Sequence, residues 1–579
     1  MQKTGIILVI VGFAVFLVMP FMARHILSEQ LVTKEFETQE TSSIASHELH
    51  SSFGNPSTTW SLISKVDKAI IKVNEGIINR YALSNNDIKE LKELAKSQKL
   101  DEQHLEGLWG ADSFKAQSFI SYGNWLFGRS FSSEEEARKN IEQVANNITL
   151  YEILPKKGID KYKAKSLKYN LSKHSIIGTI AGNPILFLFL TFGLTALGGL
   201  LMLLTYTKEP AGIKNNGIYF HPAKSRKWLG IIIGTLLIVF YIFLYFYPEY
   251  MTGWIKMVDP ISYWLSGNEA GQFFLYGFIY TVSVLVMGAR MMAKYRHNRY
   301  QLVRTGSVMF FQTLFAFLIP EILVRLNQPY FDFKNVWPLD YDFFFDFELN
   351  KLITGGNLGL FMLGWGIALS FVGVPLFTYL YGKRWYCSWV CGCGGLAETV
   401  GDPFRQLSDK SLRAWKIERI TIYSVLVFAV VMTIGVLYTY FTGTSELLGV
   451  NTYSMRQVYG AFIGAGFSGV VGTGFYPLMG NRVWCRFGCP LAAYMGIVQR
   501  FKSRFRITTN GGQCISCGNC STYCEMGIDV RSYAQRGENI VRASCVGCGV
   551  CAAVCPRGVL KLENGPVSTR INTTNFVRH

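Results

Sequence analysis

Cysteine is absent from the first 386 residues of this 579-residue chain, and all thirteen of its cysteines follow. That stretch can therefore hold neither a disulfide nor a Cys-x-x-Cys-His haem attachment. Histidine is scarce too. Of eight, His174, His221 and His297 lie at the edges of apolar runs or in loops, and none is central to a run, which argues against a bis-histidine haem between membrane helices. Acidic residues number 39 against 57 Lys and Arg, a net charge of +18. Such a balance first suggests nucleic acid, but its distribution points elsewhere.

Half of the residues are hydrophobic, and they gather into runs of roughly 20, the length that crosses a bilayer as a helix. Eight candidates are 6–22, 185–206, 229–246, 273–291, 308–323, 358–380, 420–440 and 459–479. Backbone groups in lipid must be satisfied internally, so each run is expected to be helical. The fold class expected is a polytopic α-helical membrane protein. The basic loops at 207–227 (Lys208, Lys214, Lys224, Arg226, Lys227) and 290–304 (Arg290, Lys294, Arg296, Arg299, Arg304) fall on one side. The loop 327–350 falls on the other, with Asp332, Asp340, Asp342, Asp346 and Glu348 against Lys334. The positive-inside rule makes the basic side cytoplasmic. The excess charge then reports topology, with membrane lipid as its partner and no nucleic acid.

Five segments are expected. Residues 1–22 form a membrane anchor, since "FMARHILSEQ" offers no small-x-small cleavage site. Residues 23–175 form an external helical domain, with helical periodicity in "NNDIKELKELAKSQKLDEQHLEGLWG" and a capping box from Ser133 and Glu136. Asn147-Ile-Thr fits a glycosylation pattern too common to carry weight. Residues 176–498 form the membrane core, 499–565 a small α+β domain and 566–579 a polar tail.

The chemistry lies in the cysteines. "CISCGNCSTYCEMG" and "CVGCGVCAAVCPRG" each read Cys-x-x-Cys-x-x-Cys-x-x-x-Cys. In that spacing three thiolates hold one cubane and the fourth reaches the other. Cys514, Cys517, Cys520 and Cys555 are expected to hold one [4Fe–4S] cluster, and Cys545, Cys548, Cys551 and Cys524 the second. Zinc sites use separated ligand pairs, and cytoplasmic thiols resist disulfide formation. Pro556 follows Cys555 as the two-cluster pattern expects, but Glu525 follows Cys524. Two further pairs end apolar runs: Cys387 and Cys391 in "WYCSWVCGCGGLAE", Cys485 and Cys489 in "NRVWCRFGCPLA". Thiols four residues apart share one face if helical, and the two pairs are expected to converge. They are open to three readings: redox-active thiols, a further metal site for iron–sulfur or copper, or small buried hydrophobes.

Paired Cys-x-x-x-Cys motifs before a two-cluster ferredoxin resemble the membrane polyferredoxins, among them NapH-type quinol dehydrogenase subunits, NosR-type proteins and FixG/CcoG-type oxidase-assembly proteins. The resemblance covers roughly 350–565. It implies an electron-transfer protein of the bacterial cytoplasmic membrane, tied to quinone or a respiratory oxidoreductase, with the ferredoxin cytoplasmic and the 23–175 domain periplasmic. The role of an electron-transfer subunit in a quinol dehydrogenase follows from it, with a copper assembly factor or a redox-sensing regulator as alternatives. The chain departs from the pattern at Gly392, where proline is expected, and at the extra Cys393; residues 23–175 lie outside the resemblance and carry no flavin-attachment sequence of the NosR kind. The basic 500–579 region, with eleven Lys and Arg against four acids, suits an acidic flavodoxin or ferredoxin partner. "GAGFSG" at 464–469 lies inside an apolar run without a preceding strand, so it is read as helix packing rather than dinucleotide binding. Glu321, near Arg325, is an ionisable group at membrane depth and a candidate proton site.

Overall fold

The computed structural model describes all residues except 98–99, 111–112, 130, 132, 207, 209–227, 445, 448, 511–512 and 565–579. Most of the first basic loop and the polar tail therefore lie outside the described residues. The chain forms two compact units, one of Phe16–Phe187 with Pro248–Met257, the other of Met1–Val15, Leu188–Tyr247 and Val258–His579.

The first unit is helical, as its periodicity requires. Thr59–Tyr81 buries Leu62, Val66, Ile70, Val73 and Ile77, one stripe at three- and four-residue spacing. Helices Asn85–Lys96 and Glu134–Ile148 add Leu91, Ile141 and Val144 to the same core. Ser133 caps its helix by accepting from Glu136 N at 3.1 Å, and Ser84 with Asp87 forms a reciprocal capping box. A three-stranded sheet joins Arg24–His25 to Ser57–Thr58 and Ile176–Ile177. In it His25 is fully buried between Ser175 Oγ (3.1 Å) and Thr59 Oγ1 (2.9 Å). Burial lowers its pKa to about 4. The segment 248–257, far away in sequence, completes the unit: Ser172 Oγ donates to Glu249 O at 2.9 Å, and Trp254 stacks on Phe16 at 4.7 Å.

The second unit is a helical bundle carrying the cysteine-rich region. Among the described residues seven helices of the chain are long and apolar enough to cross a membrane: Gln2–Met22, Pro184–Thr205, Trp228–Phe246, Gln272–Lys294, Arg299–Arg325, Gly356–Tyr381 and Leu412–Thr442. This is a multi-pass membrane protein. The eighth expected run is helical from Thr452 to Gly474 but too rich in glycine to reach the same hydropathy. It nevertheless returns across the depth of Leu412–Thr442. Thr439 Oγ1 meets Thr452 Oγ1 at 3.2 Å at one end, and Glu418 pairs with Arg486 at 2.7 Å at the other. Its glycines are close-packing positions: a Cβ at Gly469 would stand 2.5 Å from Tyr245 Cε2, and one at Gly474 would stand 2.5 Å from Ile238 Cγ1.

Three details go beyond the sequence reading. The acidic loop 327–350 is largely packed inside. Its Phe331, Val336, Phe343, Phe344 and Phe345 are buried, and Trp337 Nε1 donates to Thr433 Oγ1 at 3.0 Å. Lys294 and Arg304, counted as topology charges, are 4% and 1% exposed. Arg325 does not partner Glu321; its guanidinium reaches the Trp264 carbonyl.

Candidate iron–sulfur centres and their junction

Strands Arg506–Thr509 and Leu560–Glu563 pair antiparallel and bracket the two cysteine runs. In each run a glycine in the left-handed region, Gly518 (φ +78°) or Gly549 (φ +74°), lets the chain turn into a four-residue helix. The two halves thus share one build. Cys514, Cys517, Cys520 and Cys555 line one cavity, and Cys524, Cys545, Cys548 and Cys551 line another. The two cavities divide the eight cysteines in the interleaved order of their spacing. Backbone N–H groups already point at sulfur, Ser516 N to Cys514 Sγ and Ile528 N to Cys524 Sγ, both at 3.4 Å. Cys517 is exposed and Cys551 buried, so the first cavity faces out and the second faces in.

The helix-end cysteines also meet, by a different route from the one expected. Cys387 ends the short helix Arg384–Cys387, the chain turns, and Cys391 sits at the N-cap of Gly392–Thr399. In the same way Cys485 lies in Val483–Phe487 and Cys489 is the N-cap of Pro490–Phe501. The pairs do not share one helical face, because each motif is a helix–turn–helix. The turns are built alike: Tyr386 O accepts from Val390 N (3.0 Å) and Cys391 N (2.8 Å), and Trp484 O accepts from Gly488 N and Cys489 N (both 2.9 Å). A positive-φ glycine, Gly382 or Gly480, stands five residues before the first cysteine of each. The two motifs are an internal repeat.

All four thiols are buried and interact with one another: Cys387 with Cys391 and Cys485, Cys489 with the other three. Hydrogen bonding from the extra thiol, Cys393, holds Cys391 down to about 6, while burial lifts Cys387 to about 12. Gly392 is crowded: a Cβ there would meet Gln312 Oε1 at 3.3 Å and Tyr280 Oη at 3.4 Å, and Tyr280 Oη donates to its carbonyl at 2.7 Å. The loop 327–350 reaches this knot, where Tyr386 Oη donates to Lys334 O at 2.9 Å. A cavity of about 240 Å³ opens beside Cys485, lined also by Lys383, Trp415, Arg419, Tyr423 and Arg500.

Sequence reasoning missed the junction. The 542–548 backbone is gripped by side chains of the helical core. Gln499 Nε2 donates to Arg542 O and Cys545 O (both 2.7 Å), Ser388 Oγ to Val546 O (2.8 Å), Tyr300 Oη to Gly547 O (2.9 Å) and Gln301 Nε2 to Cys548 O (2.9 Å). Beneath them lies a buried ion network. Glu398 pairs with Arg304 (2.6 Å), Arg405 (2.7 Å) and Arg482 (2.7 Å); Glu525 pairs with Arg405 (2.6 Å) and Arg482 (3.0 Å). Asp402 pairs with Lys294 (2.6 Å) and Arg405 (3.3 Å). These side chains are between 0 and 3% exposed. Burial alone would raise the Glu398 carboxyl, but the three guanidiniums hold it well below the usual range. Glu398, Glu525 and Cys548 place ligand atoms within 4.8 Å of one another. With four cations against three carboxylates, that trio is satisfied by protein charge rather than waiting for a metal. The one signal in the sequence was Glu525 in the place of proline.

With this geometry in place, the comparisons with known proteins fall on the same residues. A 4Fe-4S dicluster domain matches residues 513–560, and a 4Fe-4S binding domain matches twice, over 363–411 and 461–508, the two halves of the repeat. Iron–sulfur domains on a bundle of membrane helices fit the class of membrane polyferredoxins. Similar proteins include the "Putative electron transport protein YccM" of Escherichia coli, 26% identical over 32% of this chain and 52% of the relative. The methylamine utilization ferredoxin-type protein MauN of Paracoccus denitrificans is 34% identical over 28% of this chain and 56% of the relative. MauN of Methylobacillus flagellatus is 27% identical over 41% and 80% respectively. The chain thus spans about half the length of the first two. No solved structure matches.

Proposed function

We propose that the protein carries electrons between a partner in or at the membrane and two [4Fe–4S] clusters, through a third metal centre at the helix ends. Cys514, Cys517, Cys520 and Cys555 hold the first cluster, Cys524, Cys545, Cys548 and Cys551 the second, and Cys387, Cys391, Cys485 and Cys489 the third centre. The observation that carries this reading is the convergence of four buried thiols from two repeated motifs. A four-thiolate set fits iron–sulfur ligation, and the bound clusters supply one-electron carrier chemistry.

The residues of the chain do the rest. N–H groups on sulfur stabilise the reduced state. The inner position of the second cysteine set and the exposed Cys517 make the order first cluster, second cluster, helix-end centre. An acidic flavodoxin or ferredoxin meets the first cluster, and the cavity beside Cys485 takes the ring of a quinone from the lipid phase. The positive-inside reading of the basic loops supports a cytoplasmic ferredoxin region and a periplasmic segment 23–175. Soft thiolates also suit cuprous copper, so a copper-delivering assembly factor is the second reading. Protein in nanodiscs tests the first one: dithionite should give [4Fe–4S] electron paramagnetic resonance signals that a quinone analogue re-oxidises. Absence of reducible cluster signals defeats it.

A further inference from the structure

The two cysteine sites that face each other are joined by a continuous run of side chains. Arg405 Nη1 lies 3.9 Å from Cys548 Sγ and 2.6 Å from Glu525 Oε2. Glu525 Oε1 lies 3.0 Å from Arg482 Nη2, and Arg482 Nη1 donates to Cys485 Sγ at 3.6 Å. Glu398 runs in parallel, bonded to both guanidiniums at 2.7 Å. Arg482 also donates to the Cys387 carbonyl at 3.3 Å, so it touches both repeats. The sulfurs at the two ends belong to different centres under the function proposed above, on which this inference rests.

We propose that Glu525, with Arg405 and Arg482, is a positioning unit that locks the second ferredoxin centre to the helix-end centre and tunes the potentials of both. A guanidinium beside a ligand sulfur favours the reduced, more negative state of the centre, and a carboxylate between two guanidiniums offsets that pull. The unit is fully desolvated, so its charges act at close range and little screened. Glutamate at 525 is therefore a working substitution for the proline of a free two-cluster ferredoxin. A free ferredoxin meets partners by diffusion, whereas this one is fixed, with its first centre left facing solvent at Cys517. Electron transfer past the second centre is an intramolecular, one-electron step in which one centre is oxidised as its neighbour is reduced.

The test is a redox titration of the full chain in nanodiscs, read by electron paramagnetic resonance, with iron analysis of each variant. Glu525→Gln keeps an oxygen acceptor and loses the charge. It should shift the midpoints of the second and helix-end centres upward and leave the first centre in place. Glu525→Asp should restore most of the wild-type values. Arg482→Lys, which retains charge but cannot span Glu398, Glu525 and Cys485, should slow re-oxidation by the quinone analogue while both ferredoxin signals persist. Equal shifts of all centres, or unchanged midpoints with full iron, overturn the proposal. If wild-type protein lacks the helix-end centre, the third-site reading fails on iron content alone. The shift of the second centre against the first then still decides the role of Glu525.

Discussion

Replacing Arg405 with alanine removes one guanidinium from three carboxylates at once: Glu398 at 2.7 Å, Glu525 at 2.6 Å and Asp402 at 3.3 Å. The side chain is 1% exposed, so water cannot take its place. Truncating one partner of a buried ion pair costs about 3–5 kcal/mol, because a charge is left uncompensated. Lys294, Arg304 and Arg482 remain to hold part of the network, which puts the expected cost at the lower end, about 3 kcal/mol. A domain has about 5–15 kcal/mol in total, and the loss should appear first where the junction is made. Hydrogen exchange is the assay. The loop 542–549, gripped through its carbonyls, should lose protection by roughly two powers of ten, while Thr59–Tyr81 in the other unit keeps its own. Unchanged exchange in 542–549 would refute the claim that this network docks the ferredoxin region.

Three other outcomes follow from separate parts of the molecule. Gly394→Ala would place a Cβ 2.0 Å from the Cys387 carbonyl oxygen; it should lower iron at the helix-end site while both ferredoxin signals stay, as read by metal analysis with spectroscopy. Gly469→Ala overpacks the eighth helix against Tyr245, and should lower the melting temperature through a cost of about 1–3 kcal/mol. His25 is held neutral, with its pKa lowered from 6.5 to about 4. The unfolded chain therefore takes up the proton first as pH falls. The stability held above pH 6.5 should be lost progressively toward pH 4, by about 3 kcal/mol. Denaturation of the full chain across that range should show the loss, and His25→Gln should flatten it.

The parts legible in the sequence were those written in local spacing. Apolar runs of bilayer length gave the membrane helices, and the eight ferredoxin cysteines sorted into two sets because ligand spacing in a cubane is a short-range constraint. Glu525 stood out as a departure from pattern, but its partners did not: Arg405 is 120 residues away, and nothing in "DPFRQL" announces a buried cation. The helix-face reading of Cys387 and Cys391 failed because Gly382 turns the chain and Val390 N and Cys391 N both close on Tyr386 O. That geometry has no signature in the Cys-x-x-x-Cys spacing itself. In the loop 327–350 the acids dominate the charge count, while the phenylalanines between them decide where it packs. Residues 248–257 joined a unit they could not be assigned to, because only their tertiary contacts with Phe16 and Ser172 place them there.

The central claim is that the paired helix-end cysteines hold a metal centre of their own, in line with the two ferredoxin clusters. Iron and acid-labile sulfide should be counted in purified protein and in the Cys387→Ser/Cys485→Ser double variant, alongside cluster spectroscopy. The account predicts about twelve irons per chain falling to about eight, four per cluster, with the ferredoxin signals intact. About eight irons in both proteins would contradict it.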